Sequence, residues 1–466
     1  MNFDHEVNRH SCIRHPASVS SIYMKIYGRS VVGVSLLAGM LAFLAPEKLR
    51  AENWAHWRGP LFDGATTETN LPNSWSTTEN VAWTAPMPGM SGATPVIWGD
   101  HVFVSSPDVN KNLLLLCLSR KDGKVLWQKT VAEGDRKRGL NNMASPSPVT
   151  DGKRVVVIFG TGDLAAYDFS GKELWSRNLV KDYGRFQYNF LYGSSPLLYD
   201  GKLYVQVLNR RPPTEESATA SDGGPAGESY LLCLDPATGK TLWRHVRPTE
   251  AREESQEAYS SPIPKPLGKG KTEIIVVGGD CTTAQDAATG EELWRCGGLN
   301  SRNDFTWRVV TSPVVADGLI VSCAPKRAPV FGIRDGGKGL VTDTNIVWQF
   351  REFTPDCVTP LYYEKKLFVL DGDKQMITCL DPLTGEKKWQ GSMGVREIFR
   401  SSPTGADGKI YCLSENGTAI VLSAGDEFKI LATIPMGGAP VRSEIAVSDG
   451  QLFIRTTENL YCIGKK

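Results

Sequence analysis

The chain has 466 residues and a formal net charge of +1, which gives neither nucleic acid nor an anionic membrane an electrostatic reason to bind. Apolar residues make up 41%, ample for a sizeable core, and 46 glycines with 28 prolines favour short strands joined by turns over long helices. The ten cysteines include no CxxC and no adjacent pair, which argues against a zinc ribbon or an attached haem.

Residues 1–51 read as an N-terminal extension and export signal. Met24 can be the start, because the residues before it are polar. Lys25 and Arg29 then supply positive charge ahead of "VVGVSLLAGMLAFLA", residues 31–45, which has signal-peptide length and is short for a spanning helix. Ala51 offers a cleavage position. No Cys follows the apolar run, so a lipid-anchor box is absent. An uncleaved membrane anchor is the alternative; with cleavage no stable membrane span remains, and the location is periplasmic or extracellular.

Residues 52–79 are a lead-in segment, opening "NWAHWRGPLFDG". Residues 80–466 carry a repeat. A Ser or Thr, usually before Pro, starts a unit at Thr94, Ser147, Ser195, Ser261, Ser312, Thr359, Ser402 and Ser443. Proline at the head of a strand removes no needed ladder bond, so strand A begins there. Asp-Gly pairs such as Asp151-Gly152, Asp200-Gly201 and Asp317-Gly318 give the A–B hairpin. Strand B is a β-branched and aromatic run, and strand C ends at an Asp. In "LDPATGKTLW", residues 234–243, Asp235 bonds local N–H groups, Gly239 takes the left-handed position, and Trp243 on strand D packs on the neighbouring unit. The structural tryptophans of the repeat are Trp83, Trp127, Trp175, Trp243, Trp294, Trp348 and Trp389.

Eight such units specify an all-β fold, an eight-bladed β-propeller of four-stranded antiparallel blades. The last unit stops after its third strand. Residues 80–87, with Trp83, should supply the fourth and close the ring. Cys117, Cys233, Cys379, Cys412 and Cys462 lie in apolar strand phrases and read as small buried hydrophobes. Cys281 and Cys296 bracket a C–D hairpin and are candidates for a cross-strand disulfide.

The Asp, Thr-Gly and Trp phrase resembles the quinoprotein-type, or PQQ-like, β-propeller repeat family, over essentially the whole exported chain. The lead-in resembles the segment preceding such propellers in planctomycete-type bacterial proteins. The family includes quinoprotein alcohol dehydrogenases and outer-membrane assembly lipoproteins, so the resemblance implies the fold and leaves function to the site. The dehydrogenases hold PQQ under a ring of adjacent cysteines and bind calcium through Glu, Asn and Asp. This sequence has no adjacent cysteines and no matching calcium ligands, so no cofactor and no metal are expected, with PQQ the alternative. It also lacks a GxSxG elbow, HExxH and a P-loop, and no catalytic residue is assigned.

In an up-and-down blade, B–C loops and D–A connections share one face, and A–B and C–D turns share the other. The D–A connections bring Arg308, Arg400 and Arg442 to the channel mouth, with Tyr188 and Asn142 on the facing rim. Converging arginines require acidic neighbours, such as Glu257 and Glu444, or an anionic ligand. Two insertions, residues 210–229 and 326–345, read as B–C loops on that face. The reading is an exported non-catalytic scaffold for a protein, peptide or carbohydrate ligand. A cofactor-dependent oxidoreductase and a polysaccharide-acting hydrolase or lyase are the rivals.

Overall fold

A strand that begins at Ser/Thr-Pro and meets a turn within a few residues is short, and each blade opens on such a strand. In blade 1 the strands are Val96–Trp98, His101–Pro107, Asn112–Ser119 and Val125–Glu133, paired antiparallel in that order. The computed structural model describes residues 52–210, 227–326 and 328–464, and among these the pattern recurs as eight sheets in a propeller. The export reading and most of the 210–229 insertion lie outside the described residues. Among the described residues no helix is long and apolar enough to cross a membrane.

Closure follows the sequence reading. Val81–Pro86 pairs antiparallel with Asn459–Ile463 and is the outermost strand of blade 8. The A–B turns at Asp200-Gly201 and Asp317-Gly318 have positive φ at both residues; at Asp151-Gly152 only the glycine does. Asp235 Oδ1 accepts from Ala237 N–H at 2.7 Å, and Gly239 sits at φ +70°.

The repeated phrase has an interblade purpose. Five D-strand Trp residues lay their rings on the C–D turn glycine of the next blade. The pairs are Trp83 on Gly123, Trp127 on Gly171, Trp175 on Gly239, Trp243 on Gly290 and Trp348 on Gly385. In four of these pairs, Trp243 excepted, the indole N–H then donates to a carbonyl of that turn, as from Trp83 to Arg120 at 2.7 Å and from Trp175 to Pro236 at 2.9 Å. Trp389 reaches Gly425 O at 3.1 Å. Inside its own blade each Trp stands opposite a small residue: Cys117, Cys233, Cys379 and Cys462 face Trp127, Trp243, Trp389 and Trp83. Burial pushes these four thiols up to about 12, so they act as packing groups. Blade 7 has Ala432 at the Trp position, and the blade after it has no C–D turn to dock on, because its fourth strand comes from the N-terminal side.

Two expectations are corrected. Residues 326–345 are not one B–C loop: strand C of blade 5, Val330–Ile333, lies within them. The long part is the C–D connection, whose Gly339–Leu340 pairs parallel to Glu292–Cys296 on the outer edge of blade 4. Gly332, opposite Trp348, disguises that strand C. The connection replaces the usual turn, so Trp294 is enclosed and donates to Glu273 within its own blade at 3.1 Å. Cys281 and Cys296 are free thiols. Cys296 stands opposite Thr282, and this one-residue offset sets the two side chains on opposite faces of the sheet. Cys281 Sγ accepts from Arg247 Nη2 at 3.1 Å instead.

The Trp–Gly contact is open to a matched pair of substitutions. Gly201 and Gly290 have φ of +69° and +78°, but a Cβ on Gly201 meets nothing within 4 Å, whereas on Gly290 it lies 2.4 Å from the Trp243 ring. Gly201→Ala should cost only the left-handed strain, about 1–2 kcal/mol. Gly290→Ala should cost a further ~1–3 kcal/mol for displacing the ring. Chemical denaturation of both variants checks this; equal losses would contradict the docking role.

Candidate functional site

The residues that start the eight A strands form a ring around the channel. The backbone N–H of Thr94 donates to Ser147 Oγ at 2.9 Å, Ser147 to Ser195 at 3.0, Ser195 to Ser261 at 2.9 and Ser261 to Ser312 at 2.8 Å. Ser312 donates to Thr359 at 3.0 Å, Thr359 to Ser402 at 3.1, and Glu444 back to Thr94 at 3.1 Å. Seven positions are hydroxyls. The eighth is Glu444, one residue beyond the Ser443 read as the start of the last unit. All eight line one cavity of about 350 Å³, a size within the usual range for small-molecule sites.

The lead-in segment closes the far end of this cavity. Its chain crosses the inner strands: Trp54 bridges to Ile97, Ala55 O accepts from Thr150 N–H at 3.1 Å, and Ala65 bridges to Gly405. Trp57 from this segment lies in the cavity lining. Arg58 is 0% exposed and donates to Pro403 O at 3.0, Pro360 O at 2.9, Asp63 O at 2.7 and Glu444 Oε2 at 3.2 Å. Burial raises Glu444 to about 7 against the pull of Arg58. Burial and the same guanidinium hold His56 down at about 3, so it is neutral there. The result is a cup: open at the D–A face, walled by hydroxyls, floored by Trp57 and the Arg58–Glu444 pair.

Arg308, Arg400 and Arg442 all line the cup, as does Glu444. Each arginine already has a carboxylate. Arg308 lies 3.3 Å from Glu254 and 3.2 Å from Asp356, Arg400 2.8 Å from Asp373, and Arg442 2.6 Å from Glu415. Asp373 and Glu415 come from B–C turns, so the two kinds of loop do share a face. Arg442 also donates to Leu140 O, in the blade 1–2 connection that leans over the mouth.

Three predicted rim residues stand behind the wall. Asn142 is buried and donates to Met90 O at 2.6 Å, while Asn141 lines the cup. Tyr188 is buried, its oxygen accepting from Leu208 N–H at 2.7 Å. Glu257 is buried and accepts from Asn189 N–H at 2.7 Å and from the Tyr259 hydroxyl at 2.6 Å. Its role is to fix Tyr259, whose oxygen accepts from Phe190 N–H at 2.9 Å; Tyr259 and Phe190 are the lining aromatics on that side. Neighbouring residues of an extended connection point opposite ways, and that parity was not legible.

The chain matches, over residues 66–206 and 227–337, the family model described as outer membrane protein assembly factor BamB. It belongs to that PQQ-like propeller family. No curated protein matches it. Among solved structures it is similar to the quinohemoprotein alcohol dehydrogenase of Comamonas testosteroni, with a TM-score of 0.63 and 11% identity over 89% of this chain and 81% of that one. The corresponding Pseudomonas putida HK5 enzyme gives 0.62 and 13% over 89% and 76%. BamB of Moraxella catarrhalis gives 0.56 and 14% over 82% and 98%. At these identities the likeness shows the fold.

A quinone held as in the dehydrogenases does not fit the residues present. Cys357 is the one cysteine in the lining, and burial raises it to about 12. Among the described residues no three His, Cys, Asp or Glu side chains gather as a metal site.

Glu257 gives a pH test. Burial holds it up at about 7 in the folded chain, above its ordinary 4.5, against the bonds from Tyr259 and Asn189. The unfolded chain releases that proton first, so the stability linked to Glu257 is full below pH 4.5 and declines as pH rises to about 7. The Tm of the native chain minus that of Glu257→Gln should therefore shrink between about pH 5 and pH 7.5. A difference constant across that range would show that Glu257 titrates normally.

Proposed function

We propose that this chain is an exported, non-catalytic binding or assembly scaffold whose channel cup takes a small polar ligand or the end of a larger one. The observation that carries this is convergence: side chains from every blade and from the lead-in line one dead-end cup. Within it the charged groups are paired with each other, and among the described residues no three His, Cys, Asp or Glu side chains gather as a metal site. The family model points the same way, since its description names an assembly factor. Export rests on the signal read in residues 1–51. The oxidoreductase reading has in its favour the fold likeness to the two dehydrogenases; the donor set of the cup speaks against it.

The test joins two assays on the full chain. Incubation with PQQ and calcium should yield no dye reduction with alcohols. A thermal-shift screen of polar small molecules should find compounds that raise the Tm of the native chain and have no effect on an Arg308→Ala, Arg400→Ala double variant that still melts cooperatively. Each guanidinium keeps N–H donors beyond those its carboxylates hold, and losing one such bond to the ligand from each, at about 1.5–3 kcal/mol, should weaken binding at least about a hundredfold. Dye reduction at stoichiometric PQQ, or hits that stabilise both proteins equally, would contradict the proposal.

A further inference from the structure

We infer that the cup binds an uncharged end of a saccharide. This rests on the cup being a binding site and concerns what it selects.

The first argument is charge. The four guanidiniums around the cup, Arg58, Arg308, Arg400 and Arg442, face five carboxylates at ion-pair distance. An entering anion would have to displace a carboxylate from its arginine or sit among the five, so it gains no free positive charge. An entering ammonium meets carboxylates that already hold guanidiniums. A ligand with no net charge loses nothing on either count.

The second argument is hydrogen-bond valence. Each ring hydroxyl receives a backbone N–H from the preceding blade in the cycle, as between Ser261 and Ser312 at 2.8 Å. Except at Ser402, which bonds to Glu444, its own proton and one lone pair remain. A ring of such groups suits a ligand whose polar groups donate and accept at once, which describes sugar hydroxyls. At the break in the ring the wall is a carboxyl group instead, Glu444, held by Arg58 and by the Ser402 hydroxyl.

The third argument is shape. Trp57 on the floor and Phe190 and Tyr259 on one side supply apolar ring surface, and Val310 extends it. A pyranose has hydroxyls around its edge and C–H faces that pack on such surface. The floor makes the cup a dead end, so it admits a chain end and not a through-running chain. A peptide end carries an ammonium or a carboxylate, for which the paired charges hold no spare partner. Neither end of a neutral saccharide carries a charge.

Isothermal titration of the full chain with methyl hexopyranosides and gluco-, galacto- and N-acetylglucosamine disaccharides, beside citrate, inorganic phosphate and trialanine, tests this. At least one saccharide should bind one per chain. Ser312→Ala, which removes one ring hydroxyl, should weaken it about tenfold. Trp57→Leu should weaken it as much, and does not depend on the ring bonds for folding. Binding of citrate, phosphate or trialanine without any saccharide, lost in the double arginine variant, would overturn the inference and leave the cup as a binding site. Saccharide binding unchanged in both Ser312→Ala and Trp57→Leu would place sugar elsewhere and overturn it. Binding of nothing in the panel would count against both.

Discussion

The contact that organises this molecule is an indole ring resting on a glycine. A blade of four strands cannot bury both of its faces alone, so it must find its neighbour at a fixed offset. The Trp of one outer strand covers the C–D turn of the next blade, and its N–H takes a turn carbonyl, as Trp127 does with Phe169 at 2.9 Å. The turn needs glycine twice over, for its left-handed backbone and because any Cβ would enter the ring. The residue opposite the Trp must also be small, which accounts for the buried cysteines at positions such as Cys233. Recurring at five blade junctions, this contact helps hold the blades at the offset that brings the eight A strands together around the cup.

The inner ring has a parallel logic. Strand A starts at Ser or Thr because the hydroxyl caps a backbone N–H from the preceding blade at the point where proline, lacking its own N–H, leaves the ladder. A structural device thereby lines a cavity with hydroxyls. The break at Glu444 is where the lead-in arrives. Arg58 reaches that gap, so the one position that lacks a ring hydroxyl is also the one that anchors the plug. Burial of this pair is tolerable because the two terminal nitrogens of Arg58 also donate to three carbonyls, Asp63, Pro360 and Pro403.

The propeller was legible because its devices are local and repeated. Asp-Gly, Thr-Gly and Trp each answer a backbone or packing demand that recurs in every blade, and Trp83 before the first full unit announced the closing strand. Arg308, Arg400 and Arg442 were legible because topology alone carries D–A connections to the mouth. Their carboxylate partners were not: Asp373 and Glu415 sit in short B–C turns that look like any polar turn. Tyr188 and Asn142 failed on parity, since a connection without regular structure gives no period from which to read which side chain faces inward. Trp57 and Arg58 were invisible because the lead-in occurs once, and a single non-repeating segment carries no signal of what it packs against. Glu444 was read as an acidic neighbour of the mouth, but its place in the ring was missed by one residue, where the last unit replaces Ser-Pro with Glu-Ile.

An experimental structure of the full chain soaked with the saccharide that binds most tightly tests the central claim most directly. The account places the sugar inside the ring, over Trp57, with its hydroxyls within hydrogen-bond reach of Ser261, Ser312 and Glu444 and the four arginine–carboxylate pairs intact. Density for the sugar on the outer wall or against the Thr-Gly turns, with the cup holding only solvent, would contradict it.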